Sequence, residues 1–483
     1  MSDRKDVVVI GASVGGLAAA AYLARVGHRV LVLEADDALS GACRGNSSIA
    51  GVRSSYWGAS RALDSRLISD LGLRSLKFAV RDMPLVALRE DGRHLVLTRD
   101  ARIASRAIAT YSSKDASTYR RVREEISRLA LAMRPFWWND VDLPLQRNAK
   151  QAQLLERFTS TSAVSYLNEI ESPAVKAALA FDADRPLEPG SALALAWTAA
   201  QESCGLQGAV AAPLGGLSAL GEALAAAAQN AGAEIRTRAC AKSLELNGGA
   251  VRGLTLDTGE AIFGRVVISS LSRRRTILDL APTASAGFAQ TQSLLRSQPH
   301  CGEAYIQFLL NAAPALGGTH VPQSARFVIA DPETYAATRM AVREGRLPDE
   351  LLLEIMTPTT SDHSLAPIGQ HLLSVRVPDL PLKPGDGWPA LTGKLIERVI
   401  ATLEPFAAHL RERIVGTDVR TPLDEEENSV ERILAPYAAR IVTPIEGLFL
   451  CGESAEPMNA VSGRAGRLAA AMAHSFLARE KRS

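Results

Sequence analysis

Six residues near the start of the chain have the types and spacing to hold a diphosphate: Gly11-Ala12-Ser13-Val14-Gly15-Gly16. Gly11 permits a tight turn from a strand into a helix, and Gly16 lets the two lie close together. A helix that begins here offers unpaired N–H groups and the positive end of its dipole to a pyrophosphate. Glu34, 18 residues beyond Gly16, is placed to accept hydrogen bonds from ribose hydroxyls. Ser13 stands where the middle glycine of such a turn is usual, and a serine is small enough to be tolerated.

The flanking residues supply the elements that this chemistry needs. Asp6-Val7-Val8-Val9-Ile10 is a short β-branched run, read as a buried parallel strand. Leu17 to Val26 is an alanine-rich helix closed by Gly27, and His28 to Leu33 is a second strand ending at Glu34. Strand, glycines, helix, strand and acid in this order form a βαβ nucleotide-binding unit.

The dinucleotide is indicated by resemblance. Val32-Leu33-Glu34-Ala35 followed by Leu39-Ser40-Gly41-Ala42 resembles the V-L-E and V-G-G signature of flavoproteins in the amine oxidase and phytoene desaturase superfamily. The resemblance implies FAD, with Gly41 and Ala42 beside the pyrophosphate and ribityl chain, and Ser40 in place of the first glycine. It implies that the backbone at Ala241 meets the adenine. It also identifies Gly452 and Glu453, after the last strand, as ribityl contacts. Val461 then opens a helix whose N-terminus faces the isoalloxazine C2 carbonyl, where charge gathers on reduction.

Bulk properties exclude several alternatives. A chain of 483 residues is too long for one simple core, and 47% hydrophobic with 22% charged residues is ordinary for a globular protein. A net charge of +2 argues against nucleic acid. The densest basic cluster, Ser272 to Arg275, reads as a solvated loop. Cys43, Cys204, Cys240, Cys301 and Cys451 are scattered and never paired as C-x-x-C, which excludes a redox dithiol and argues against metal sites. The N-terminus reads as a nucleotide fingerprint rather than a signal peptide, and no run suggests a membrane span. A cytoplasmic location is expected, with peripheral membrane contact open.

The remaining texture alternates. Residues 76 to 204 carry short strands (Pro84 to Leu88, His94 to Leu97) and helices. One helix is expected over Ala116 to Met133, ended by Arg134-Pro135-Phe136-Trp137-Trp138, and others over Gln151 to Glu169 and Pro173 to Phe181. Nucleotide-domain texture returns near 206. A helix follows Gly215-Gly216, a hairpin spans Ala241 to Leu256, and a buried strand covers Gly264 to Ser269. Residues 291 to 424 carry further strands and a long helix from Trp388 to Leu410.

The fold class expected is α/β: a Rossmann-like FAD-binding domain in three segments (1–75, 205–290, 425–483) with an inserted α+β substrate domain (76–204, 291–424). Nearly the whole chain resembles phytoene-desaturase-like FAD oxidoreductases, especially the pyridine nucleotide-disulfide oxidoreductase domain branch. The segments that carry this include Glu171 to Ala180, Gly215 to Leu224, Leu365-Ala366-Pro367, Thr421 to Asp424 and Thr443 to Gly452. Departures cluster at the flavin: Ser13, Ser40, the run Ala455 to Val461, and a shortened segment after Asp424.

The activity implied is removal of a hydride from a C–H bond of a small or apolar organic substrate. The rivals are a redox-neutral flavin isomerase and a non-catalytic binding protein. Catalytic residues are not assigned. Tyr56, Trp57, His300, Tyr305, Tyr437 and Arg440 are pocket candidates.

Overall fold

The computed structural model describes residues 4–39, 47–139, 149–183, 185–282, 285–296, 300–422 and 433–480. Gly41, Ala42, Ser40, Cys43 and the segment after Asp424 lie outside them.

Two seven-stranded sheets carry the molecule. In chain order their strands are β1 (Lys5–Ile10), β2 (Val30–Leu33), β3 (Leu85–Ala87), β4 (Leu95–Leu97), β5 (Glu234–Arg236), β6 (Ala241–Asn247) and β7 (Ala250–Leu256). Then come β8 (Ala261–Ser269), β9 (Cys301–Leu310), β10 (Arg326–Ile329), β11 (Leu353–Met356), β12 (His371–Pro381), β13 (Ile414–Arg420) and β14 (Leu448–Leu450).

The first sheet runs β6-β7-β8-β1-β2-β5, with β14 also on β8. Strands β1, β2, β5, β8 and β14 pair in parallel, while β6, β7 and β8 form an antiparallel extension. Strand β8 is long enough for two partners along one edge: β7 against Ala261 to Phe263, and β14 against Val267 to Ser269. Val7, Val8, Val9, Val32 and Ile268 are fully buried, as parallel strands covered on both faces require. The helices Val14–Arg25, Gly216–Asn230 and Arg464–Glu480 join this core through alanines and leucines.

The second sheet runs β13-β9-β12-β11-β10-β3-β4. It has one apolar face. Ile306, Phe308, Phe327, Leu353, Ile355, Val375 and Val377 pack with Leu395, Val399 and Leu403 of the helix Trp388–Leu403. The opposite face carries charge. Residues two apart share a face, and directly paired residues on neighbouring strands touch. Glu354 pairs with Arg376, Arg376 with Tyr305, and Tyr305 with Arg420, so one row crosses β11, β12, β9 and β13.

Three expected helices are corrected. The helix over Ala116 to Met133 runs instead from Ser113 to Asn139, through Pro135. Its end is set by tertiary partners: Trp137 Nε1 donates to Ile433 O at 3.0 Å, and Arg464 and Arg467 donate to the carbonyls of Trp137 and Trp138. Cations at a helix C-terminus satisfy its last carbonyls and its dipole. The span Gln151 to Glu169 is two helices, Ala149–Ser160 and Ala163–Tyr166, because Ser162 caps the second by accepting from Ser165 N–H. The helix from Trp388 stops at Leu403, not Leu410. Among the described residues, no helix is long and apolar enough to cross a membrane.

Candidate active site

A single cavity of about 830 Å³ opens at the carboxyl ends of β1, β2, β8 and β14 and reaches the charged face of the second sheet. Ligands of open parallel sheets sit at such strand ends. At the nucleotide end it is lined by Gly11, Ser13, Glu34, Ala35, Ala241 and Ser270. Glu453, Met458, Ala460 and Val461 follow along the wall. Seven of the expected site residues therefore meet one space: Gly11, Ser13, Glu34, Ala35, Ala241, Glu453 and Val461.

Of the others, Ala12, Gly15, Gly16 and Gly452 lie behind the wall. Gly11 has φ +85, and an added Cβ would fall 2.2 Å from Ser270 Oγ. A Cβ on Gly15 would lie 1.8 Å from the Cys451 carbonyl oxygen, and one on Gly16 2.2 Å from that of Gly11. At Gly452 it would lie 2.0 Å from Ser270 O. These glycines let the strand ends and helix starts converge closely enough to form a cradle. Ala12 donates its N–H to Glu34 Oε2 at 2.7 Å, and Asp36 N–H donates to Glu34 Oε1 at 3.1 Å. Glu34 thus braces the turn, and a carboxylate has acceptor capacity beyond those two bonds.

Ser13 is explained by its backbone. Its φ of −71° and ψ of 171° are open to any residue, and its Oγ accepts from Gly16 N–H at 3.2 Å as the cap of Val14–Arg25. The amides of Ser13, Val14 and Gly15 precede any intrahelical partner, and Ser13 lines the dinucleotide end of the cavity. The cradle therefore fits FAD. Its small residues, first-turn amides, acidic clamp and length match a pyrophosphate flanked by two bulky ends.

The start of Arg464–Glu480 differs from expectation. Glu456 Oε1 accepts from Ala465 N–H and Ser462 Oγ, each at 2.6 Å, and Ser462 Oγ accepts from Arg464 N–H at 3.0 Å. Tyr437 Oη donates to Glu456 Oε2 at 2.6 Å. The chain's own carboxylate thus caps the helix start at which the resemblance places the flavin carbonyl, and Val461 lines the cavity beside it. Tyr437 is buried in this cluster, Arg440 lies over its ring, and neither lines the cavity, nor does His300. Tyr56, Trp57 and Tyr305 do.

At the far end the wall is a ladder of ions. Asp182 accepts from Arg61 at 2.9 Å and Arg326 at 2.6 Å. Glu354 accepts from Arg326 at 2.5 Å and Arg376 at 2.8 Å. Glu303 accepts from Arg376 Nε at 2.9 Å and Tyr305 Oη at 2.6 Å. Burial opposes ionisation of all three acids, but the arginines outweigh it and hold each below the usual carboxylate range. Glu453 is the reverse case. Burial, with Glu456 nearby, outweighs the pull of Arg420 and pushes its carboxyl up to about 7.

Sequence reasoning missed the ladder, although a signal exists. Glu354 sits inside the apolar strand Leu353–Met356, and Arg376 inside β12. A lone charge in a buried strand requires a partner. Arg185, Asp379 and Met458, non-glycine residues with positive φ, also line this cavity. Asp379 sits where β12 bulges against β9, which turns the strand end toward the site. The cluster Ser272 to Arg275 is not simply solvated: Arg273 donates to the carbonyls of Ala439, Arg440 and Val442, and Arg275 lines the cavity. No disulfide joins the described cysteines, and no metal cluster occurs among the described residues.

Comparison with known proteins agrees with this fold. The chain is 29% identical to pyridine nucleotide-disulfide oxidoreductase domain-containing protein 2 of Mus musculus, over 96% of this chain and 92% of that protein. It is 28% identical to a phytoene dehydrogenase of Streptomyces griseus, over 82% and 78%. Its fold matches a redesigned putrescine oxidase at a TM-score of 0.66, with 16% identity over 98% of this chain and 99% of that one. The family model for flavin containing amine oxidoreductase matches residues 14–274, so the chain belongs to that family, a Rossmann-like FAD oxidoreductase fold.

Proposed function

We propose that this protein removes a hydride from a C–H bond of a small organic substrate, as a desaturase or an amine oxidase does. The observation that carries this reading is the continuity of the cavity, from the dinucleotide cradle to the ion ladder of the second sheet. Bound FAD supplies the hydride acceptor. The amides of Ser13, Val14 and Gly15 would hold its pyrophosphate, Glu34 a ribose, the backbone at Ala241 the adenine, and Glu453 the ribityl chain. Tyr56 Oη donates to Asp418 at 2.7 Å and so keeps acceptor capacity at the cavity wall, while Tyr305 Oη donates to Glu303. Trp57, Phe181 and Trp197 supply an apolar wall that excludes water.

The visible spectrum of the purified protein, before and after addition of FAD and dialysis, tests this. Bands near roughly 375 and 450 nm, as for any oxidised flavin, are expected, with anaerobic bleaching by a substrate drawn from amines and polyenes. A protein that stays colourless after reconstitution would sink the proposal. A flavin that no donor bleaches, with isomerisation of the same compounds, would replace it with redox-neutral chemistry.

A further inference from the structure

The ladder is balanced within itself. Arg61, Arg326 and Arg376 face Asp182, Glu354 and Glu303, and each acid has at least one arginine within ion-pair distance. Arg420 is the cation of this row that no acid claims among the described residues. It continues the row beyond Tyr305, lines the same cavity, is exposed, and makes no ion pair among the described residues. The groups around it do not neutralise it. Its field reaches Glu303, already claimed by Arg376, and Tyr56, already bonded to Asp418. It also reaches Glu453, a carboxyl that burial keeps substantially protonated near neutral pH.

We propose that Arg420 anchors a carboxylate of the substrate, so that this site acts on a small organic acid rather than on a neutral lipophile. The inference rests on the oxidoreductase reading above and narrows its substrate class. A guanidinium presents paired donors that match a carboxylate. The aromatic wall of Trp57, Phe181 and Trp197 accommodates the substrate's apolar part. The Tyr56 hydroxyl, whose proton goes to Asp418, keeps acceptor capacity at the wall and favours a donor, such as an amine, beside the carboxylate.

The test compares isosteric pairs that differ in charge: benzoate with benzamide, and acetate with acetamide. Binding to the FAD-replete protein is read by calorimetry and by the flavin difference spectrum. Benzoate is expected to bind at least about tenfold more tightly than benzamide, the scale of one charge-assisted contact. Arg420→Gln should abolish that preference with an unchanged melting temperature and flavin spectrum, and Arg420→Lys should keep part of it. Equal affinities within both pairs, no binding of either acid, or a preference that survives Arg420→Gln would overturn the proposal. A colourless protein that still prefers benzoate by calorimetry overturns the oxidoreductase reading and leaves the anion site standing.

Discussion

Glu453 shows how a single carboxyl registers its surroundings. Its folded pKa, about 7, lies above that of an unfolded glutamate at roughly 4.3. A raised pKa means that the folded state binds the proton more tightly. The stabilisation this gives is full below the unfolded value and is lost as pH rises through about 7. Glu453→Gln removes the titration. We therefore expect the FAD-free variant to gain melting temperature relative to the parent between pH 5 and pH 8. A difference independent of pH would show that Glu453 stays ionised. Ser13 gives the complementary lesson. The glycine expected there serves close approach, yet the observed φ of −71° asks for no glycine, and the hydroxyl caps the helix instead.

At the scale of elements, the cradle depends on backbone approach. Gly452 follows β14 and abuts Ser270 O, while Gly15 and Gly466 abut each other where the helices Val14–Arg25 and Arg464–Glu480 cross. Backbone oxygens cannot step aside as side-chain tips can. Gly452→Ala should therefore destabilise the protein by at least about 2 kcal/mol, as overpacked sites do, and should weaken FAD binding. A melting temperature unchanged from the parent would contradict this. The second sheet uses its two faces differently. One face is apolar against Trp388–Leu403, and the other carries the row Glu354, Arg376, Tyr305 and Arg420. A shift of register by one residue would exchange the two faces and bury the charges in the core.

Across the whole molecule, the ladder ties distant parts of the chain to one wall. Arg326 is buried and joins Asp182, which follows Pro173–Ala180, to Glu354 in β11, while Arg61 comes from the connector after β2. Arg326→Met should cost on the order of 3–5 kcal/mol, because it leaves buried carboxylates short of a partner. Chemical denaturation at pH 7 measures this, and a loss under about 1 kcal/mol would mean that the pairs are dispensable. The acids of the ladder also set the response to acid. Their folded pKa values lie below the unfolded values, so their stabilisation is present above roughly pH 4 and is lost as pH falls further. Melting temperature should therefore drop steeply below that pH in the parent and less steeply in Asp182→Asn.

The first sheet was legible in the sequence because its information is local. The apolar run Val7 to Ile10, the turn at Gly11, the alanine-rich helix and Glu34 follow one another within about thirty residues, and each has one reasonable backbone. The same locality revealed the return at Gly215 to Ser269 and the closing run at Leu448 to Glu453. Only the tertiary structure decided what lines the far end of the cavity. Arg61, Asp182, Glu303, Glu354, Arg376 and Arg420 lie on segments far apart in sequence, and no spacing rule connects them until strand register aligns Glu354, Arg376 and Arg420 and ion pairs bring Arg61 and Asp182 to the same wall. The extent of Ser113–Asn139 was likewise invisible, because the arginines that receive its last carbonyls come from a helix more than 300 residues later. Glycines and apolar periodicity encode the backbone where they occur, whereas a charged wall exists only when distant strands align.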